Sequence, residues 1–319
     1  MKEFDIINKH LSKLSKNNPS SLNLNDDVFY YKNKNLVIST DSYNEGIHFI
    51  DFKKPVWVIK KIIRSSLSDL ICKGVAPKYY FISACFKKND INEKNIKLII
   101  NALKSEQKKF NIQISGGDTT SSKFTSFSIT SVGFSKKVIK RNNALINDDI
   151  YVTGNLGDSF VGLNYLKKKY ITNKNLKNYF IKKYYIPEIP SSACNLIKKY
   201  ANTSIDISDG LIDDLNKLIN KQKLNFLINL EQIPISAKMK IFLKKNNLKK
   251  EKFVFHGDDY QILFTAPKFY RKKIYLYSKK MNQKITIIGK ITKYSGKNVL
   301  KNNKKPINTT KFKGYTHFL

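Results

Sequence analysis

The sequence predicts an α/β protein of two domains, and three observations carry that reading. The chain has 319 residues, about twice a typical domain length, so a second core is expected. Segments with helical spacing alternate with short β-rich runs along its whole length. Between them, KKVIKRNNALINDD (136–149) is polar and turn-rich, which divides the chain into an N-terminal domain, 1–144, and a C-terminal domain, 145–319.

The elements follow in order. Phe4, Ile7, Leu11 and Leu14 keep helical spacing, and LVIST (36–40) is a short strand that ends in an acidic loop. WVIKKIIRSSLSDLICKG reads as a helix stopped by Gly74, with Pro77 just beyond. YYFISACF is a strand, NEKNIKLIINALKSEQKKF a helix, and NIQIS a strand that runs into the turn GGDTTSS. FTSFSITSVGF alternates as a strand should. The second half opens with the strand DIYVTG and the glycine-bearing turn NLGD before the apolar helix SFVGLNYL. TSIDISDGLIDDLNKLI, FLINL, the loop HGDDYQILFTAP and KITIIGKIT complete it. No strict repeat is present.

The formal net charge of +35 points at first to a polyanionic partner. Only Arg64, Arg141 and Arg271 are arginines, whereas readers of bases and phosphates favour arginine for bidentate contacts. The lysines are scattered with Asn and Ile over every segment. The charge is therefore read as a solvated, compositionally biased surface with no specific nucleic-acid partner, and weak polyanion binding is expected only at low salt. Cys72, Cys85 and Cys194 have no metal or redox spacing, which fits reduced thiols in the cytoplasm. No run approaches a membrane span.

Against this basic background the acids are clustered. Of 24 Asp and Glu residues, twelve fall in six short motifs: LNDD (Asp26, Asp27), STDSYNEG (Asp41, Glu45), SLSDL (Asp69), GGDTT (Asp118), SIDISDGLIDDL (Asp206, Asp209, Asp213, Asp214) and HGDDY (Asp258, Asp259). Each alone has a plain explanation. Asp213 and Asp214 suit the positive end of a helix, and Asp209 or Ser208 can cap it. Together they suggest a demand for negative charge, and divalent-metal binding makes that demand: Mg²⁺ takes hard oxygen ligands shared with substrate phosphates. His10, His48, His256 and His317 are too dispersed for a zinc site. Neither a G-x-x-x-x-G-K-[ST] loop nor a G-x-G-x-x-G turn is present, so any triphosphate would be held mostly through metal ions.

Taken in order, NDD, STDSYNEGIHF, SLSDLICKGVAP, ISGGDTTSS, DIYVTGNLGDSFVGL, SIDISDGLIDDL, HGDDYQILFT, IIGKIT and FKGYTHF resemble the thiamine-monophosphate kinase family. That family lies in the superfamily of aminoimidazole ribonucleotide synthetase and selenophosphate synthetase. The resemblance implies a two-domain PurM-like α/β fold that dimerises through the sheets of its N-terminal halves. It also implies an activity, the conversion of thiamine monophosphate and ATP to thiamine diphosphate with several Mg²⁺ ions.

Carried onto this chain, the implied metal ligands are Asp27, Ser39 or Thr40, Asp41, Asp69, Asp118, Asp206 and Asp209. Gly117, Asp118, Arg141 and Ser208 would touch the nucleotide, and His48, Asp258 and Tyr315 the thiamine phosphate. Three departures stand out: Asn25 where the family has glycine, Arg141-Asn142-Asn143 for Arg-Ser-Gly, and His256-Gly257-Asp258-Asp259 for Gly-Gly-Glu-Asp. Two alternatives remain at this stage: another ATP-dependent synthetase of the superfamily and, from a different class, a lysine-rich nucleic-acid-binding protein.

Overall fold

The structure, a computed structural model, describes residues 3–170, 173–303 and 305–307. The chain opens with helical segments α1 (Glu3–Ile6) and α2 (Ser12–Leu14) joined by a wider turn, Ile7–Leu11. The first half continues through β1 (Phe29–Tyr31), β2 (Leu36–Asn44), α3 (Pro55–Cys72), β3 (Pro77–Phe86), α4 (Glu93–Phe110), β4 (Gln113–Ser121) and β5 (Ser126–Phe134). These strands form one sheet in the order β1-β2-β5-β3-β4, antiparallel except for the β3–β4 pair.

The second half comprises β6 (Asp149–Thr153), α5 (Asp158–Leu166), α6 (Lys174–Tyr185), α7 (Cys194–Tyr200), β7 (Thr203–Asp206), α8 (Leu211–Leu218), β8 (Leu224–Asn229), α9 (Ala237–Lys245), β9 (Ile262–Ala266), α10 (Arg271–Lys280), β10 (Ile285–Lys293), β11 (Val299–Asn302) and β12 (Lys305–Ile307). Its sheet runs β12-β11-β8-β10-β6-β9-β7, antiparallel except where β11 meets β8. Each sheet lies within one half of the chain. One apolar cluster joins the halves, since it holds Phe49, Ile59 and Phe127 together with Phe180, Tyr184 and Phe242.

Helix α3 is the axis of that shared core. Pro55 at its first turn presets φ and loses no hydrogen bond there. At the other end Gly74 takes the left-handed backbone (φ +74) that terminates the helix. The helix touches β2 and β5 on one side and β7, β9, α6 and α7 on the other, so even its polar residues Lys61, Arg64, Ser65 and Ser68 are buried. Arg64 meets this constraint with two donors to the buried Glu106 carboxylate, at 2.7 and 3.1 Å, and a third to the Pro187 carbonyl at 2.9 Å. Helix α4 lies outside and buries only Ile99, Ala102 and Glu106.

The GGD motif departs from expectation. Residues 116–118 remain within β4 and form no turn, because the β3–β4 register slips by one between Tyr80 and Phe81. A bulge absorbs the extra residue there. A Cβ at Gly117 would lie 1.8 Å from the Ile82 carbonyl oxygen, so the close strand approach requires glycine.

Candidate functional site

Acidic strand ends and loops from both halves converge on one cleft of about 550 Å³. Side-chain alternation along β2 sorts its polar residues. Ser39, Asp41 and Tyr43 face α3, where the Ser39 hydroxyl donates to Asp69 and Tyr43 donates to Asp41 at 3.1 Å. Thr40 and Ser42 point to the opposite face and pair with Thr130 and Ser128, each at 3.0 Å. Helix α3 then presents Ser65, Ser68 and Asp69, at spacings of three and four, along one stripe.

From the second half, Asp206 ends β7 and accepts from Ser68 at 2.5 Å. The loop after it lies directly against the 256–260 segment: Asp258 N–H donates to Ser208 O at 2.8 Å and Tyr260 N–H to Ile207 O at 2.9 Å. A Cβ at Gly257 would stand 1.9 Å from the Ser208 oxygen. Glycine there is what lets the two acidic loops close on one another.

The Asp27, Asp69 and Asp206 carboxylates each offer an oxygen within 4.8 Å of the others. Like charges so close, with Asp206 buried and Asp27 and Asp69 partly buried, resist ionisation. Asp69 is held well above the usual carboxylate range by burial, then by Asp41 and Asp206. Asp41 and Asp206 are both pushed up to about 6, chiefly by burial. An all-carboxylate, oxygen-only set of this kind suits Mg²⁺, and the hydroxyl of Ser39 adds a further hard oxygen beside it.

Three cations border the carboxylates. Lys73 is fully buried and places Nζ 2.6 Å from Asp27, 2.9 Å from Asp26 and 2.7 Å from the Ser204 carbonyl. Burial opposes its charge, but Asp26 and its other neighbours prevail, and its pKa is raised. Arg141 pairs with Asp27 through its guanidinium and with Asp26 through its backbone N–H at 2.9 Å. Lys217 pairs with Asp209 and, at 2.9 Å, with Asp214.

Asp27, Ser39, Thr40, Asp41, Asp69, Asp206 and Asp209 line this cleft together with Arg141 and Ser208, and with His48 and Asp258. Gly117 and Asp118 do not. They are exposed on the edge strand β4, and Asp118 shares a row with Ser83, Ser128 and Ser42, three inter-strand steps or roughly 14 Å from β2. Tyr315 lies outside the described residues. Asp214 serves the fold: its Oδ2 accepts from the N–H groups of Asp209 and Gly210, at 3.1 and 2.9 Å, at the start of α8.

Away from the carboxylates the cleft turns aromatic and apolar. The Phe160 and His256 rings stack 3.5 Å apart, 16° from parallel, near Ile47, Ile50 and Leu163. His48 accepts from Asn44 N–H at Nδ1, 3.0 Å, and meets Tyr43 edge-on. One end is thus built for phosphates and cations, and the other for a flat organic group.

Comparison with known proteins gives this geometry a family. Residues 25–135 match AIR synthase related protein, N-terminal domain. Over 325 residues, covering 99% of this chain and 98% of the relative, the chain is 37% identical to the thiamine-monophosphate kinase of Buchnera aphidicola subsp. Acyrthosiphon pisum (strain APS). The chain belongs to the thiamine-monophosphate kinase family. It is 31% identical to the kinase of Haemophilus influenzae, across 100% of this chain and 98% of that one. Among solved structures it is similar to AaThiL complexed with AMPPCP and TMP, with a TM-score of 0.84 at 28% identity, covering 100% of this chain and 99% of the other. The mixed α/β, PurM-like fold expected from the sequence is the fold of this kinase family.

Within this thiamine-monophosphate kinase family member, the departures have local explanations. Asn25 has an ordinary backbone (φ −116) and exchanges side-chain hydrogen bonds with Asn220 at 2.9 and 3.2 Å. The left-handed positions fall just before Asn25, on Leu22, Asn23 and Leu24 (φ +52, +57 and +52), and in the Arg141-Asn142-Asn143 segment on Asn142 (φ +63). Asp258 is also left-handed (φ +67), and His256 contributes the ring that covers Phe160. The reading by motif overlooked Lys61, Lys73, Lys217 and Phe160. For Lys73 there was a signal: a lone lysine inside the apolar run LICKGVAP. Lys217 follows Asp214 by three residues on α8, the spacing of a helical ion pair.

Proposed function

We propose that this protein transfers the γ-phosphoryl group of ATP to thiamine monophosphate, giving thiamine diphosphate and ADP. The observation that carries this reading is the convergence of Asp27, Asp69 and Asp206 on one cleft whose other end is lined by Phe160, His256, His48 and Asp258. The named activity of the relatives and the ligands of AaThiL agree with it.

The chemistry needs no general base. A phosphate monoester has its second pKa near 6, so at pH 7 an acceptor oxygen is already largely ionised. That oxygen attacks the γ-phosphorus in line, the bond to the β,γ-bridging oxygen breaks, and ADP leaves with that electron pair. The obstacle is repulsion between two polyanions. Asp27, Asp69 and Asp206, with Ser39, Asp41 and Asp209 around them, would hold Mg²⁺, which neutralises charge on the transferring group. Arg141 and Ser208 take the nucleotide, while His48 and Asp258 orient the acceptor; a contact of Tyr315 with the acceptor is implied by the family resemblance alone. Incubation with ATP, Mg²⁺ and thiamine monophosphate should yield thiamine diphosphate and ADP in equal amounts by chromatography, with free thiamine inert as acceptor. Absence of the diphosphate rejects the proposal.

Two structural proposals accompany it. Residues 1–144 and 145–319 act as two domains, with the catalytic cleft closed between them in the cytoplasm. The protein is also a homodimer, paired through the first sheet. β4 is exposed along its whole length, and Phe81, Ile114 and Phe134 stand on the same sheet about half exposed, a poor surface for a monomer. A second copy would also give Gly117 and Asp118 a cleft to serve. Light scattering should return twice the chain mass of 36.9 kDa, and a monomeric mass at micromolar concentration rejects the pairing.

A further inference from the structure

Lys61 is a cation in an unusual place. It lies on α3 with 1% of its side chain exposed, and its only carboxylate partner among the described residues is Asp258, whose Oδ1 is 3.1 Å from Nζ. The angle of that contact leaves the ammonium without a conventional hydrogen bond. On another side Nζ rests 3.4 Å from the centroid of the Tyr184 ring. A buried ammonium is costly unless charge and π-density compensate it. Here the compensation comes from Asp258, which lines the cleft, and from Tyr184, which lies behind it and bonds the backbone of His48, a lining residue.

The first is Asp258 itself. Tyr260 donates to its Oδ1 at 3.0 Å, so Lys61 and Tyr260 act on one carboxylate oxygen, and among the described residues Oδ2 accepts no hydrogen bond. The side chain is 30% exposed and lines the cleft. The second is Tyr184, whose hydroxyl donates to the His48 carbonyl at 3.1 Å. The cation is thus wedged between the support of His48 and the support of Asp258, beneath the floor and out of reach of any ligand.

We propose that Lys61 is a positioning residue of the cleft: from beneath it, the ammonium fixes the Asp258 carboxylate with Oδ2 free for the bound molecule. The proposal rests on the reading of the His48–Asp258 end as the acceptor end. Asp258 adopts a left-handed backbone, a conformation an aspartate holds only at some cost, and anchoring one oxygen from below compensates for that strain. A methionine at this position keeps the length and apolar contacts but loses the charge.

The test is a double-mutant cycle in full-length protein, reading KM for thiamine monophosphate, KM for ATP, kcat and Tm. Lys61→Met should raise KM for thiamine monophosphate about tenfold or more, with KM for ATP within about twofold. Asp258→Asn, which strands the buried ammonium, should lower Tm, and adding Lys61→Met should recover that loss without restoring KM. If Lys61 acts through Asp258, the double variant has the KM of Asp258→Asn alone. A wild-type KM in Lys61→Met, or independent additive effects on KM, overturns the proposal. Should Lys61→Met alone fail to fold, the charge-free double variant against Asp258→Asn still decides: equal KM supports the role and a further rise overturns it. Absence of turnover in the wild type would instead reject the acceptor reading, whatever Lys61 does.

Discussion

Asp69→Asn is expected to lower turnover by about 10²–10³-fold or more while making the metal-free protein more stable at pH 7.5. The two effects separate catalysis from folding because Asp69 sits in the fold at a loss. Its partly buried carboxylate lies close to Asp41 and Asp206, all three held above the usual carboxylate range. An amide has the same shape and no charge, and its oxygen can still accept from Ser39. What it forfeits is the anionic oxygen that a hard cation requires. Steady-state kinetics and thermal melts in chelator test both halves, and unchanged turnover, or a fall in Tm matching the fall in rate, rejects the assignment.

The same three carboxylates set the pH dependence. Asp41 and Asp206 titrate near 6 in the folded chain against an ordinary value of about 3.9. A folded-state pKa raised in this way contributes stability that is complete below the ordinary pKa and is lost as pH rises through about 6. In chelator, these groups therefore favour the fold more at pH 5 than at pH 7.5. Added Mg²⁺ should raise Tm clearly at pH 7.5 and little at pH 5, where protons already occupy the site, and in Asp69→Asn the gain at pH 7.5 should shrink.

Several parts of this site were legible because their chemistry clashes with the composition. In a chain with 59 basic residues, aspartates kept in clusters next to glycine and serine mark where lysine is not tolerated, and the cleft gathers most of them. Most strands and α3 were legible from periodicity, but β1, β11 and β12 were too short to stand out, and the segment read as the loop HGDDYQILFTAP contains β9, a fully buried strand whose apolar run shows no alternation. Thr40 against Ser39 was not settled by the motif, and the alternation of β2 decides whose hydroxyl meets Asp69. Helices α6, α9 and α10 escaped the reading although α6 buries Leu176, Phe180, Ile181 and Tyr184 at helical spacing. Their exposed faces are lysine and asparagine, and that bias blurs the contrast on which periodicity depends. The buried lysines were the least legible: Lys73 stood out only as a lone lysine in the apolar run LICKGVAP, and nothing local distinguishes Lys61 from the many solvated ones. Only the fold, by placing α3 between two layers, makes them interior.

Lys73→Met should destabilise the metal-free protein by about 3–5 kcal/mol, a large part of the roughly 5–15 kcal/mol that holds a domain folded. All three ammonium donors are committed, to Asp26, Asp27 and the Ser204 carbonyl, and both carboxylates are nearly as buried as the lysine. Methionine fills most of the volume, so the cost is electrostatic: among the described residues, two acids beside Asp69 and Asp206 retain only Arg141 as counter-ion. The raised pKa of Lys73 keeps it charged in the folded chain at every pH below its ordinary value, so the wild-type contribution does not vary between pH 6 and 8. In the variant, Mg²⁺ should recover more stability than it gives the wild type, because it then supplies a charge the lysine had supplied. Urea unfolding with chelator and with Mg²⁺ measures both differences, and a midpoint equal to wild type in chelator would mean that Lys73 is not what balances the Asp26 and Asp27 charges.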